Sequence, residues 1–221
     1  MSDLTTKYET MQGGLIREVW EGREVPIPPK WVRDRNQLPK RYRFAVLAPE
    51  TAGEYDPTVL EVARRYAVAW PQVKAKGLWA IFTGDSGRGK THAAAAIANE
   101  AQRLHGGTEG VSVEWLPVTC RLQELFDHRH FHRGEEYGAM RRRLLGCDLL
   151  IVDDLLYAGQ SAAVQEFLFG LYDDRYQKQK PIVTTMNADL TPEDWSAVDN
   201  VFNAAFRRRL QETAKGFTIV L

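Results

Sequence analysis

Short apolar segments alternate with helical segments through most of this chain of 221 residues. The apolar segments cover residues 78–83, 111–118, 148–152, 181–185 and 217–221, and a segment with apolar residues at helical spacing covers residues 55–70. Residues 149–152 are apolar at every position, which is typical of a parallel strand that is covered on both faces. This alternation predicts a three-layer α/β fold in which a parallel sheet is sandwiched by helices.

The composition excludes several classes of protein. The chain has 29 lysines and arginines and 29 aspartates and glutamates, so its formal net charge is zero and any DNA binding must come from a local patch. No apolar segment approaches the roughly 18 residues of a membrane span, and the polar N-terminus lacks the apolar core of a signal peptide. Cys120 and Cys147 form no zinc-binding pattern. We therefore expect a cytoplasmic protein with free thiols and no membrane contact.

Residues 1–39 differ from the rest of the chain. They contain a pair of glycines and four of the prolines, with a short amphipathic segment around Leu15, Ile16, Val19 and Trp20. This composition predicts an N-terminal arm, followed by one main domain over residues 40–221. Two interpretations of the arm stay open: it packs on the main domain as a strap, or it docks a partner.

A glycine-rich segment follows the first apolar strand. Residues 84–91 match G-x-x-x-x-G-K-[ST] at every position and lie between that strand and an alanine-rich helical segment. Glycines let successive backbone N–H groups point at phosphate oxygens, and the helix N-terminus adds partial positive charge. A chance glycine-rich turn would not explain the flanking strand and helix. We predict an ATP site formed by Gly84, Asp85, Ser86, Gly87, Arg88, Gly89, Lys90, Thr91 and the adjoining His92.

Two consecutive carboxylates end the strand that begins at Leu149. A phosphate loop needs a carboxylate at the end of a nearby strand, so Asp153 is predicted to hold Mg²⁺ together with the Thr91 hydroxyl. Lys90 is predicted to hold the β- and γ-phosphates, and Asp154 to orient or polarise the attacking water. A pair of aspartates is also common in turns and helix caps, but the four apolar residues before it favour the metal site.

Several motifs in order resemble the DnaC/IstB group of AAA+ ATPases. They are residues 84–92, 149–155, 174–176 and 181–187, and the resemblance extends from about residue 38 to the C-terminus. The group comprises DnaC/DnaI-type replicative helicase loaders of bacteria and phages and IstB-type helper ATPases of transposition. The resemblance implies an AAA+ domain over residues 40–221, with a five-stranded parallel sheet and no C-terminal helical lid.

The resemblance also implies roles for residues outside the phosphate loop. Asn187 takes the place of the sensor-1 residue, which contacts the γ-phosphate or the lytic water, although an asparagine there is also a common turn residue. Arg209 takes the place of an arginine finger that reaches the nucleotide of a neighbouring subunit, and Arg208 is the second candidate for that role. That role implies a ring or spiral of subunits, and the alternative is a solvated basic helix face. Asp154 stands where most AAA+ enzymes have glutamate, which predicts slow hydrolysis.

Basic and aromatic residues are interleaved between the second and third strands. Arginines there are suited to a phosphate backbone and aromatic rings to unpaired bases. A solvated helical hairpin with core aromatics is the alternative, and three nearby histidines lack the cysteine or carboxylate partners of a metal site. The predicted contacts with single-stranded DNA are Arg129, Arg133, Arg141, Arg142 and Arg143.

These features predict an ATPase that loads a replicative DNA helicase, using Mg²⁺–ATP and single-stranded DNA. The short, proline-rich arm favours this role over that of a transposition helper, whose partner would be a transposase. An ATP-gated adaptor with negligible turnover is a third hypothesis.

Overall fold

A computed structural model describes residues 9–10, 16–20, 23–27, 30–35, 38–47, 56–107, 110–118, 122, 135–191 and 194–220. The first strands, β1 (Glu9–Thr10), β2 (Ile16–Trp20) and β3 (Arg23–Ile27), pair antiparallel in that order. The predicted amphipathic segment therefore lies mostly in β2, while Leu15 lies outside the described residues. A short helix, α1 (Lys30–Arg35), follows these strands.

The main domain contains the remaining helices and strands. In chain order they are α2 (Pro57–Val68), α3 (Trp70–Lys76), β4 (Ala80–Thr83), α4 (Lys90–His105), β5 (Val113–Pro117), α5 (Glu135–Gly146), β6 (Leu149–Asp153), a 3₁₀ helix (Leu155–Gln160), α6 (Ala162–Gln177), β7 (Ile182–Thr185), α7 (Ser196–Asp199), α8 (Ala204–Thr213) and β8 (Thr218–Val220). Every predicted strand is present, with ends within two residues of the prediction.

The central sheet is parallel. Strands β5, β6, β7 and β4, in that order, form its body, and the three-residue β8 extends it beside β4. Strands β6, β7 and β4 are neighbours in the sheet and run parallel, so their carboxyl ends lie side by side. In an open parallel sheet, a crevice at such an edge is where ligands bind.

Helices cover both faces of the sheet. Alternate residues of β6 belong to different apolar clusters: Leu149 and Ile151 pack with α2 and α4, whereas Leu150 and Val152 pack with α5, α6 and α8. All four side chains are fully buried. The predicted α/β architecture with a parallel sheet and covering helices is therefore confirmed. Among the described residues, no helix combines the length and the apolar character needed to cross a membrane.

A buried arginine joins the layer of α5 and α6 to the sheet. Arg175 is fully buried, and its guanidinium group donates to the carbonyl oxygens of Leu144 (2.6 Å), Cys147 (3.2 Å) and Pro181 (2.7 Å). These carbonyls lie near the end of α5 and just before β7. Cys147 is a free, buried thiol, as predicted, and Cys120 lies outside the described residues. Arg175 thus connects three parts of the chain through one side chain.

The segment that precedes the main helices also packs in the core. Leu38, Ala45 and Leu47 belong to the apolar cluster of α2 and α4. Asn99 of α4 donates to the carbonyl oxygen of Ala45 (2.9 Å), and Arg64 of α2 donates to that of Leu47 (2.7 Å). Leu38 lies just before the predicted boundary between arm and domain, and that boundary stays a prediction.

Candidate functional site

The predicted phosphate loop connects β4 to α4. Gly84, Gly87 and Gly89 have φ angles of 123°, 85° and 89°, a region that glycine adopts without steric cost. Lys90 begins α4 and is buried, and its ammonium group donates to the carbonyl oxygens of Gly84 (2.8 Å) and Asp85 (2.5 Å). Burial lowers the pKa of Lys90, and the nearby aspartates oppose that shift. The loop therefore curls around a desolvated cation that can compensate phosphate charge.

Two hydroxyl groups bind one carboxylate oxygen at the end of β6. Thr91, in the first turn of α4, donates to Oδ1 of Asp153 at 3.0 Å, and Thr185, at the end of β7, donates to the same atom at 2.6 Å. Burial raises the pKa of Asp153, although both hydroxyl bonds stabilise its ionised form. The hydroxyl and carboxylate oxygens fit Mg²⁺, which prefers hard oxygen ligands. Thr91 and Asp153, predicted to hold the metal, are therefore brought together.

Asp154 adopts a left-handed backbone conformation that is uncommon for a residue with a side chain. Its φ is 59° and its ψ is 49°. Its backbone N–H donates to the hydroxyl of Thr185 at 3.0 Å, and its carboxylate accepts from the side-chain amide of Asn187 at 3.0 Å. The two residues predicted to act on the γ-phosphate or the attacking water are thus in direct contact.

A cavity of about 440 Å³ joins these groups. Its lining residues come from the phosphate loop, the start of α4, the ends of β6 and β7, and the segment before the main helices: Arg41, Tyr42, Ser86, Gly87, Gly89, Lys90, Thr91, His92, Asp154 and Asn187. Gly84, Asp85 and Asp153 are not in this lining set but bond to residues that are. The carbonyl groups of Gly84 and Asp85 accept from Lys90, and the carboxylate of Asp153 accepts from Thr91. Arg88 lies in the loop but outside this lining set.

Three residues at the site were not predicted from the sequence: Arg41, Tyr42 and Thr185. Arg41 and Tyr42 reach the cavity because the segment that carries them is held against α4, where His92 contacts the carbonyl group of Val46 at 3.2 Å. Thr185 gave a local signal, since it places a hydroxyl at the carboxyl end of a buried strand two residues before Asn187. No local signal identifies Arg41 and Tyr42, because their position depends on contacts between distant segments.

The two candidates for an arginine finger differ in their surroundings. Arg209 forms an ion pair with Asp173 at 2.5 Å, and its guanidinium group lies 5.5 Å from the ring centre of Phe169 and 5.6 Å from that of Tyr176. All three partners belong to α6. Arg208 is exposed on the same helix, α8. Arg209 therefore attaches α8 to α6, whereas Arg208 faces solvent.

The predicted DNA contacts are only partly described. Arg141 pairs with Asp174, and Arg143 lies 3.5 Å from the carboxylate of Glu114. Arg142 is exposed. Arg129, Arg133 and the three neighbouring histidines lie outside the described residues. Two of the three described arginines thus have acidic partners within the chain.

Comparison with known proteins gives a family match and more distant relatives. The family described as IstB-like ATP binding protein matches residues 65–219. The chromosomal replication initiator protein DnaA of Leifsonia xyli subsp. xyli (strain CTCB07) is 26% identical over 188 residues, which cover 83% of this chain and 35% of that protein. The corresponding protein of Wolinella succinogenes is 27% identical. The chain spans about a third of the length of the curated relatives it matches.

Solved structures share the fold. A crystal structure of the DnaC helicase loader has a TM-score of 0.64 and 20% identity, and the match covers 82% of this chain and 99% of that one. The replication initiator DnaA bound to AMPPCP and single-stranded DNA has a TM-score of 0.60 and 22% identity, with 84% of this chain and 50% of that one covered. The family match spans more than half of the chain and bears out the predicted DnaC/IstB resemblance, so this protein belongs to the family of IstB-like ATP-binding proteins.

Proposed function

We propose that this chain hydrolyses ATP in the cavity at the carboxyl edge of β4, β6 and β7. The observation that carries the proposal is the arrangement of that cavity. The phosphate loop and Lys90 line one part of it, and Asp154 and Asn187 line another. A buried cation and an acidic residue in one cavity, with a second carboxylate, that of Asp153, bonded to the lining residue Thr91, are the groups that phosphoryl transfer requires.

Each residue has a distinct role in this proposal. The loop amides and the ammonium group of Lys90 bind the β- and γ-phosphates, and Thr91 and Asp153 hold the metal. Bound Mg²⁺ would supply charge neutralisation at the β- and γ-phosphate oxygens. Asp154 orients a water molecule for attack on the γ-phosphorus, and the bond to the β–γ bridging oxygen breaks as ADP leaves. Asn187 fixes the carboxylate of Asp154. Because aspartate is shorter than the glutamate that most AAA+ enzymes have at this position, turnover is slow.

Hydrolysis in this proposal requires an assembly of subunits, a ring or spiral. We assign the arginine finger to Arg208, because Arg209 is occupied by Asp173 and two aromatic rings within its own subunit. An exposed arginine on α8 is free to reach a neighbouring subunit. In related phosphoryl-transfer systems such a finger is worth about 10³–10⁵ in rate.

The biological role that we propose is the loading of a replicative DNA helicase. Support comes from the likeness to the DnaC helicase loader, which extends over 99% of that chain. In this role ATP binding assembles the subunits, basic residues around α5 contact single-stranded DNA, and the arm binds the helicase. The match to IstB-like proteins supports a second candidate, a helper ATPase that acts with a transposase.

The first experiment tests the ATP site. Lys90→Ala should weaken ATP binding at least about 100-fold, because charge-assisted bonds to the phosphates are lost. The exposed Lys178 provides a matched control, and Lys178→Ala should bind ATP like the wild type. Titration of a fluorescent ATP analogue measures both. Unchanged affinity in Lys90→Ala would contradict the site.

A second experiment separates the biological roles. Turnover is measured with and without single-stranded DNA, and the purified chain is tested for capture of a replicative helicase and of a transposase. Stimulated turnover and helicase capture support the loader. Capture of the transposase alone supports the helper, and absence of turnover at saturating protein supports an adaptor.

A further inference from the structure

The hydroxyl group of Thr185 lies between the two acidic residues of the site. It is 2.6 Å from Oδ1 of Asp153 and 3.0 Å from the backbone nitrogen of Asp154. An amide N–H can only donate and an ionised carboxylate can only accept, so the directions of both bonds are fixed. Thr185 accepts from Asp154 and gives its single proton to Asp153. One buried atom thus contacts the side chain of one acid and the backbone of the next.

The contact with Asp154 coincides with its unusual backbone. A left-handed conformation is uncommon for a residue with a side chain, although aspartate adopts it more readily than most, and it persists where surrounding contacts hold it. The hydroxyl of Thr185 holds the N–H group of Asp154, and the amide of Asn187 holds its carboxylate. This conformation sets the direction in which the Asp154 side chain leaves the end of β6.

We propose that Thr185 is a positioning residue that aligns Asp153 for the metal and Asp154 for the attacking water at the same time. The inference rests on the proposed ATPase function and adds to it a residue that lies outside the lining of the cavity. Loss of the hydroxyl would release one oxygen of Asp153 and remove a restraint on the Asp154 backbone. Residues that orient metal ligands in this way typically contribute about 10–100-fold to metal affinity or activity.

The neighbouring residue provides a matched control. Thr184 lies in the same strand and is also fully buried, but its hydroxyl bonds the hydroxyl of Tyr172 at 2.7 Å. Tyr172 belongs to the apolar cluster of α5, α6 and α8, away from the cavity. Thr184→Val therefore removes a buried hydroxyl bond from β7 without touching Asp153 or Asp154. A comparison of the two valine variants separates positioning from general loss of stability.

The test compares wild-type chain, Thr185→Val, Thr185→Ser and Thr184→Val. Affinity for a fluorescent ATP analogue is measured in EDTA and in Mg²⁺, together with turnover and melting temperature. In EDTA, Thr185→Val should bind the ATP analogue as tightly as the wild type does. The increase in affinity that Mg²⁺ causes should be about 10–100-fold smaller than in the wild type, and turnover should fall to a similar degree. Thr185→Ser, which retains the hydroxyl, should restore both. Thr184→Val should melt earlier than wild type but respond to Mg²⁺ as wild type does.

Three results would overturn the role of Thr185: a wild-type Mg²⁺ response and turnover in Thr185→Val, the same losses in Thr184→Val, or no rescue by serine. If Thr185→Val does not fold, the comparison of Thr185→Ser with Thr185→Cys keeps the test decisive, because the two side chains differ only in an oxygen atom in serine and a sulfur atom in cysteine. Equal Mg²⁺ responses in that pair would also reject the role. A wild-type chain that neither binds nor hydrolyses Mg²⁺–ATP would instead overturn the proposed function.

Discussion

The side-chain amide of Asn187 donates to Oδ1 of Asp154 at 3.0 Å, so residues that follow two adjacent strands meet at the edge of the cavity. The amide holds one carboxylate oxygen of Asp154. In the function proposed above, this pairing gives Asn187 the task of orienting the acid that acts on the attacking water.

Replacement of Asn187 should slow hydrolysis more than it weakens binding. Asn187→Ala should lower kcat about 100-fold, since it removes a donor that acts on the reacting groups, and should leave the affinity for ATP close to the wild-type value. Turnover and equilibrium titration measure the two effects. The exposed Asn200 lies in neither the cavity nor a predicted site, so Asn200→Ala serves as control. Equal losses of affinity and kcat would contradict this role.

The arginines of α8 should separate into a catalytic and a structural residue. Arg208→Ala should bind ATP and melt like the wild type, yet hydrolyse about 10³-fold more slowly in the assembled state. Arg209→Ala should lower the free energy of unfolding by about 1 kcal/mol, because its ion pair with Asp173 is partly exposed and screened by solvent. Urea denaturation and turnover at saturating protein distinguish the two. Normal turnover in Arg208→Ala together with lost turnover in a folded Arg209→Ala would reverse the assignment.

Among the described arginines of α5, Arg142 should contribute most to the binding of single-stranded DNA. Arg141 and the exposed Arg143 each lie beside an acidic side chain that offsets the charge, whereas the exposed Arg142 forms no ion pair with another described residue. Arg142→Ala should weaken binding and reduce the salt slope by about one, the change expected for one lost phosphate contact. Fluorescence anisotropy across a salt series measures both. Arg141→Ala is the comparison: a larger effect there would contradict the order proposed, and an unchanged affinity and salt slope in Arg142→Ala would remove Arg142 from the DNA face.

Removal of the Arg175 side chain should strongly destabilise the fold. Arg175→Met would remove the charged donor from the carbonyl oxygens of Leu144 and Pro181, at a cost of about 1.5–3 kcal/mol for each bond. Each carbonyl would keep one longer bond, Leu144 from the thiol of Cys147 at 3.4 Å and Pro181 from the N–H of Leu150 at 3.3 Å. We expect a loss of at least about 3 kcal/mol in urea denaturation. Arg208→Ala, on the exposed surface, is the control for loss of an arginine. A stability change below about 1 kcal/mol in Arg175→Met would show that the buried bonds contribute little net free energy.

Local patterns predicted the parts of the site that lie within one strand or one turn. The phosphate loop and the Asp153–Asp154 pair each come at the end of an apolar strand, so a local motif and the apolar pattern before it located them. The predicted helix over residues 55–70 was less accurate, because a second helix, α3, begins at Trp70 with Pro71 in its first turn. Proline is tolerated there, since the N–H group at that position would have no helical partner anyway.

Contacts between distant segments could not be predicted in this way. The pairing of Arg209 with Asp173 depends on how α8 packs against α6, and the approach of Tyr42 to the cavity depends on how residues 38–47 cross α4. Neither has a periodic signature. The same holds for Thr185, whose importance follows from the order of strands that sets β7 beside β6.

Helix α4 carries the phosphate loop at its first turn and, through His92 and Asn99, the segment that connects residues 1–39 to the domain. If the arm binds a partner, as we propose, a ligand at the loop and that partner both act on segments that contact α4. If nucleotide shifts this helix, it changes the affinity of the arm for its partner by some factor. Thermodynamic linkage then requires the partner to change the affinity for nucleotide by that same factor.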